Sequence, residues 1–293
     1  MIGFADWDMR GELAQLWQFC FDEPVRPVKY FFNNYFRPEN CLIYRTAGKI
    51  AAAVYLLPAY VASDQKPQKA HYIYAAGTLP QYRSHGYMAA LLAWAALTGS
   101  NRGDRYSVVL PATRKLYELY EKSDYVPFFK MENVTASLGR MCDLAQGGLA
   151  GNFIFTYQQL NTLRNSHLAR KKGSVLWLDD GFAYAAGMAK VYGDKLVCSR
   201  TGEKPSYALC RRIDENTCNV MEVMADQDTV ADLAASLISQ VPAQTYSIRQ
   251  PVGNGLFGQG EAAAFGMIKP LGGTLLQPIQ NDTDPPYLGL SLD

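Results

Sequence analysis

The sequence predicts an α/β chain of two tandem, comparable units, each a mixed central sheet flanked by helices. Three observations lead there. From residue 11 to residue 138, segments of helical period alternate with short apolar runs of strand length. A glycine-rich stretch at 143–151, with Gly147, Gly148 and Gly151, then interrupts the pattern. Beyond it a similar order of helix, strands, helix and strand begins again, repeated in pattern and not in residue identity. The expected division is 1–145 and 146–293, and 293 residues suit two compact units.

Leu13, Leu16, Trp17 and Cys20 repeat at helical spacing, so the chain is expected to open on a helix. Pro24 and Pro27 punctuate it, and a second helix is expected from Val28 to Tyr35. Cys41–Tyr44, Ile50–Val61 and His71–Thr78 have strand character, separated by Gly48 and the polar turn Asp64–Lys69. A helix over Tyr87–Leu97 is expected to close at Gly99. Tyr106–Leu110 follows as a strand, Thr113–Lys122 as a helix and Val126–Leu138 as a strand. In the second half Tyr157–Arg170 is expected to be helical. Ser174–Leu178, Phe182–Val191, Tyr207–Ile213 and Val220–Met224 are expected as strands, with Asp179-Asp180-Gly181 as a hairpin turn. Asp228–Gln240 is an amphipathic helix carrying Val230, Leu233, Leu237 and Ile238 on one face. Thr245–Arg249, Phe265–Lys269 and Tyr287–Leu290 complete the strands.

Composition excludes several function classes. The formal net charge of +1 gives no global field for nucleic acid or an anionic membrane. The longest apolar runs, Ala51–Leu57 and Tyr87–Leu97, are too short to span a bilayer, and the acidic N-terminus lacks the basic region of a signal peptide. The six cysteines, at 20, 41, 142, 198, 210 and 218, form no Cys-x-x-Cys pair, so reduced thiols and a cytoplasmic location are expected. His71, His85 and His167 lie far apart and give no zinc spacing.

The chemistry concentrates in Thr78-Leu79-Pro80-Gln81-Tyr82-Arg83-Ser84-His85-Gly86-Tyr87-Met88. A strand ends, a short turn follows, and an apolar helix begins at a glycine. The first N–H groups of a helix are free and lie at the positive end of its dipole, an anion site suited to a pyrophosphate. Gly86 permits close backbone approach, and Arg83 adds a full charge at the rim. No Gly-x-x-x-x-Gly-Lys-Ser/Thr loop is present. A second cluster, Tyr120-Glu121-Lys122, lies on the helix after the next strand.

In these two places the sequence resembles the GNAT acetyltransferases. Arg83-Ser84-His85-Gly86-Tyr87 is similar to their acyl-coenzyme A signature Arg-x-x-Gly-x-(Gly/Ala), with Met88 standing where Gly or Ala is usual. Tyr120-Glu121-Lys122 resembles their Tyr-Glu-Lys-x-Gly-Phe, with Asp124-Tyr125 in place of Gly-Phe and Thr113 in place of a frequent Asn. The resemblance is sharp over 70–125 and loose over 1–69. Phe265–Leu271 looks like the terminal strand of tandem members, including the aminoglycoside-acetylating enhanced-intracellular-survival type. The second half lacks a counterpart of the cofactor turn and is expected to be a degenerate unit, and the chain looks too short for the further C-terminal domain of that subgroup.

The resemblance implies acetyl-coenzyme A as cosubstrate, held by Gly77, Thr78, Arg83, Ser84, His85, Gly86, Tyr87, Met88 and Thr113. It implies that backbone N–H near Gly77 or Thr78 polarises the thioester carbonyl and that Tyr120 protonates the leaving thiolate. Met88 either crowds the phosphates or points into the core, and Tyr120 has a packed core tyrosine as its alternative. For the base, Glu118, Glu121 and Glu132 are candidates by proximity, as is the terminal carboxylate of Asp293, because related larger enzymes use one. His71 is expected to be structural. The expected function is acetyl transfer to a primary amine of a small molecule or peptide, with no nucleic acid or membrane partner. The alternative is a non-catalytic acyl-coenzyme A sensor or scaffold. Gly253-Asn254-Gly255-Leu256-Phe257-Gly258 matches a dinucleotide fingerprint, but Pro251 and the missing βαβ context mark it as a decoy. Arg170-Lys171-Lys172 is expected to complement a helix C-terminus.

Overall fold

The computed structural model describes residues 1–290, so Asp293 lies outside the described residues. In chain order the first half contains β1 (Ile2–Phe4), α1 (Arg10–Phe21), α2 (Val25–Asn34), β2 (Cys41–Thr46), β3 (Lys49–Val61), β4 (Gln68–Thr78), α3 (Tyr87–Asn101), β5 (Tyr106–Val109), α4 (Arg114–Glu121), β6 (Val126–Pro127), β7 (Lys130–Ser137) and α5 (Leu138–Leu144). The second contains α6 (Tyr157–Leu168), β8 (Val175–Trp177), α7 (Asp179–Val191), β9 (Lys195–Thr201), β10 (Lys204–Arg212), β11 (Thr217–Met224), α8 (Val230–Gln240), β12 (Thr245–Gln250), β13 (Glu261–Ala264) and β14 (Met267–Pro270).

These form two mixed sheets flanked by helices. The first runs β1-β2-β3-β4-β5-β14-β6, with β8 added to the far end of β3, and the second runs β13-β7-β12-β11-β10-β9. Each sheet has one parallel pair joined by a crossover helix: β4-α3-β5 in the first and β11-α8-β12 in the second. That shared device is the repeat whose pattern the sequence carries. The sheets also exchange strands. β14 pairs with β5 in the first sheet, and β7 pairs with β12 in the second. A cut between 145 and 146 therefore leaves one strand of the second sheet with the first piece, and two strands of the first sheet, β8 and β14, with the second.

Local physics explains the elements. β3 is buried along nearly its whole length because α1 and α3 both pack on it. α6 starts on a capping box, in which the Thr156 hydroxyl accepts from Gln159 N and the Gln159 side chain accepts from Thr156 N. α2 starts three residues earlier than expected, since Pro27 in the first helical turn has no N–H to lose. α3 runs past Gly99 to Asn101; Gly99 is a close-approach site, where a Cβ would meet the His71 ring. Val126–Leu138 is not one strand: it breaks at Phe128-Phe129, and its two parts enter different sheets.

The largest correction is Phe182–Val191, which is the helix α7 and not a strand. Asp179-Asp180-Gly181 is its first turn and not a hairpin. Two carboxylates at the N-terminus and Lys190 in the last turn suit its dipole. It is buried on most sides, so no 3.6-residue polar stripe marks it as a helix. Tyr287–Leu290 is buried chain without strand pairing. Tyr287 O accepts from Val175 N at 3.0 Å, and Leu290 N donates to Glu222 Oε2 at 2.6 Å. β1, β9 and β13, which were not expected, also form. No helix of the described residues is long and apolar enough to cross a membrane.

A buried ion pair ties the two sheets together. Arg164 and Glu222 are both fully buried, with Nε and Oε1 3.0 Å apart. Arg164 also donates to Val175 O and Leu288 O, and Tyr207 Oη donates to Glu222 at 2.7 Å. The pair thus holds α6, β8, β10, β11 and the chain after β14 in one network.

Candidate functional site

The site starts where β4 and β5 part. They pair in parallel only over Ala70–Tyr72 and Tyr106–Val108, and β4 then continues six residues to Thr78 beside β3 but without β5. Opposite Val54 the β3–β4 register slips, because Ala53 faces Gly77 while Tyr55 faces Tyr74. Ala75 takes up the extra residue at φ 43°, a left-handed conformation that L side chains avoid. Such bulges bend a strand and re-aim its backbone, and they favour places beside active sites.

The bend opens a cleft of about 190 Å³ between Tyr72–Ala76 on one side and Val109–Ala112 on the other. α1 contributes Trp17 and Phe21, and α4 contributes Leu116 and Tyr120. From the second half, α7 contributes Met188, and Tyr192 follows at its C-terminal end. Tyr120 is buried and stacks edge-on against Tyr125 at 5.4 Å. Burial pushes its phenol well above the ordinary tyrosine range. That direction opposes easy proton loss, so Tyr120 stays a neutral hydrogen-bond donor.

The turn after β4 has the geometry of an anion cradle. Ser84 and Gly86 both adopt left-handed backbone, at φ 64° and 77°. Alternating such residues with ordinary ones turns successive N–H groups to one side. α3 begins at Gly86 with no side-chain cap, which leaves its first-turn N–H groups to an outside acceptor. A Cβ at Gly86 would meet nothing within 4 Å, so the approach is open. Arg83 Nε donates to Thr78 O at 3.1 Å, fixing the guanidinium against the end of β4. Burial raises the nearby Cys20 thiol, and Arg83 opposes that shift. His85 hydrogen-bonds Arg83 O at 2.8 Å through Nδ1 and stacks on Tyr87, which stacks in turn on Tyr44 at 4.0 Å. Met88 is half-buried and packs against the apolar core under α3.

The remaining expected residues separate. Gly77 is buried against α1, where a Cβ would sit 3.0 Å from Cys20 Sγ. Gly77 and Thr78 lie beyond the bulge, between the cleft and the turn, whereas Ala75 and Ala76 line the cleft itself. Thr113 is the N-cap residue of α4, without a side-chain cap bond. Glu118 and Glu121 are exposed on α4 and do not line the cleft. Glu132 is in the second sheet, accepting from Gln250 Nε2 and Gly260 N at 3.0 and 2.8 Å. His71 is buried with Nδ1 2.9 Å from Asp104 Oδ2, a structural pair.

Two groups carry no sequence motif. Glu23, in the bend between α1 and α2, lines the cleft and accepts a hydrogen bond from Tyr192 Oη at 2.6 Å. Burial and this bond both raise the Tyr192 phenol. Their partnership spans 169 residues of chain.

The second unit has no such cradle. Between β11 and α8 its turn carries Asp226 and Asp228, and Asp226 N already donates to Thr229 Oγ1 at 2.8 Å. Two carboxylates there would repel a phosphate.

Residues 7–127 match the acetyltransferase (GNAT) domain family. Among solved structures, the fold is similar to Eis1 from Mycobacterium abscessus, with a TM-score of 0.68 and 11% identity over 92% of this chain and 73% of that one. It is similar to a GCN5-related N-acetyltransferase from Anabaena variabilis, with a TM-score of 0.74 and 14% identity over 93% and 73%. A probable N-acyltransferase from Enterococcus faecalis gives a TM-score of 0.70 and 12% identity over 92% and 72%. No curated protein matches the sequence. Residues 7–127 thus match an acetyltransferase (GNAT) domain, and the described chain as a whole shares the fold of these acyltransferase structures.

Proposed function

We propose that the chain transfers an acetyl group from acetyl-coenzyme A to a primary amine. The observation that carries this reading is the order along one strand: the cleft beside Tyr120 at the β4 bulge, then the part of β4 that β5 does not pair, then the uncapped N-terminus of α3. The pyrophosphate would be held by the N–H groups after Ser84 and Gly86, with Arg83 at the rim. Gly77 and Thr78 would border the pantetheine arm, a reading supported by the edge of β4 that β5 leaves unpaired there. Ala75 and Ala76 of the bulge line the cleft, and their backbone N–H groups would be the candidates to stabilise a developing oxyanion.

The chemistry balances as follows. A neutral amine attacks the thioester carbonyl, forming C–N and breaking C–S. The substrate ammonium nitrogen loses two protons overall; one ends on the coenzyme A sulfur and one in solvent. Tyr120 donates its hydrogen bond to the departing sulfur, and its high affinity for its own proton returns the phenol to the neutral state.

The cradle is tested at Gly86 by thermal shift with acetyl-coenzyme A. Gly86→Ala places a side chain in left-handed backbone and costs roughly 1–2 kcal/mol of stability, but retains cofactor stabilisation. Gly86→Glu carries the same strain plus a negative charge and loses that stabilisation. Equal stabilisation of both variants would place the pyrophosphate elsewhere. Binding without turnover on any amine would favour the sensor reading.

A further inference from the structure

The cleft differs in character from one built for a polycation. Among its described lining residues Glu23 is the one charged group, and the walls are aromatic and aliphatic, with Trp17, Tyr74 and Met188 around it. Its mouth is apolar as well: Phe21 and Leu116 line it and are 42% and 37% exposed. Behind Tyr192 lies a second cavity that shares Met188 and Tyr192 with the cleft. The carboxylate among its described lining residues, Asp194, is already engaged, with its two oxygens 2.9 and 2.8 Å from Arg211 Nε and Nη2. No second carboxylate is therefore available to a second ammonium along this path, among the described residues.

We infer that the acceptor is a primary monoamine on an apolar body of aromatic size, its ammonium held at Glu23 and its body against the aromatic walls. This rests on the transfer reading above and adds the substrate class. Glu23 is half-buried, and the Tyr192 hydroxyl fixes one of its oxygens, leaving the other for the ammonium. A carboxylate and neighbouring π faces both favour a cation, while apolar walls penalise each additional unpaired charge. The ammonium passes its proton to the Glu23 carboxylate, which releases it through the cleft mouth, and the neutral nitrogen becomes the nucleophile. Tyr192 is a positioning residue, supplied by the second half.

The test measures amine binding to the full chain by calorimetry in the presence of coenzyme A, where no transfer can occur. 2-Phenylethylamine is expected to bind at least tenfold tighter than spermidine or kanamycin, and tighter than the neutral 2-phenylethanol. Glu23→Gln is expected to erase the preference for the amine over the alcohol while acetyl-coenzyme A stabilisation stays unchanged. Tyr192→Phe is expected to weaken the amine preference partially. Tighter binding of spermidine, an unchanged preference in Glu23→Gln, or no binding of 2-phenylethylamine would each overturn the assignment. Because binding is read without turnover, a failure of acetyl transfer would appear separately, as a bound amine that acetyl-coenzyme A never modifies.

Discussion

At the scale of single residues, Tyr120 shows how a motif names a position but not its physical state. Its place after Tyr106–Val109 on α4 is legible in Tyr120-Glu121-Lys122, and it does line the cleft. Its burial is not legible, because the core around it is completed by Met267 of β14, far along the chain, together with the nearby Tyr125 and Val109. The consequence is a raised phenol, and the sign matters for pH. The donor is the neutral form, an ordinary tyrosine loses it near ~10, and a raised one keeps it beyond that. The rate of transfer should rise with pH as the amine is deprotonated and show no falling limb up to pH about 10. Tyr120→Phe should lower kcat by roughly 10²-fold while acetyl-coenzyme A binding holds. A falling limb below pH 10 that disappears in Tyr120→Phe would contradict this account. Met88 resolves in the same way: a departure from the family pattern in sequence is a core contact in the fold.

At the scale of elements, legibility follows exposure. β7 alternates buried and exposed residues and α8 presents one apolar face, so both carry their period in the sequence. α7 is enclosed and loses that signal. It also reaches the cleft, through Met188. Gly187 gives it close contact with α2, since a Cβ there would overlap the Tyr30 hydroxyl, and the next residue, Met188, reaches the cleft. The network of Arg164 and Glu222 fixes α6 and β8, the neighbours of α7, and breaking it has a calculable direction. Glu222→Gln leaves a fully buried guanidinium without its counter-charge, at a cost of about 3–5 kcal/mol. Urea unfolding should show that loss as a lower midpoint, and a variant within 1 kcal/mol of the parent would contradict the network's role.

At the scale of the whole molecule, the two halves share one interlocked fold, and the proposed cofactor cradle belongs to the first. The parallel crossovers β4-α3-β5 and β11-α8-β12 repeat a device, but the turn of the second carries Asp226 and Asp228 where the first opens N–H groups at Gly86. The repeat of pattern is legible in sequence because each unit keeps its own helix and strand lengths. The exchange of β7 and β14 between sheets is not, since strand partners have no signature in a single chain. Nor is the pairing of Glu23 with Tyr192, which brings the second half to the cleft. The central claim is that this composite cleft transfers an acetyl group to an amine. The direct measurement is release of free thiol from acetyl-coenzyme A by the full chain with 2-phenylethylamine present. The account predicts amine-dependent thiol release, matched mole for mole by N-acetylated amine and lost in Gly86→Glu. Bound acetyl-coenzyme A with no thiol release above the protein-free rate, for this or any other primary amine, would contradict it.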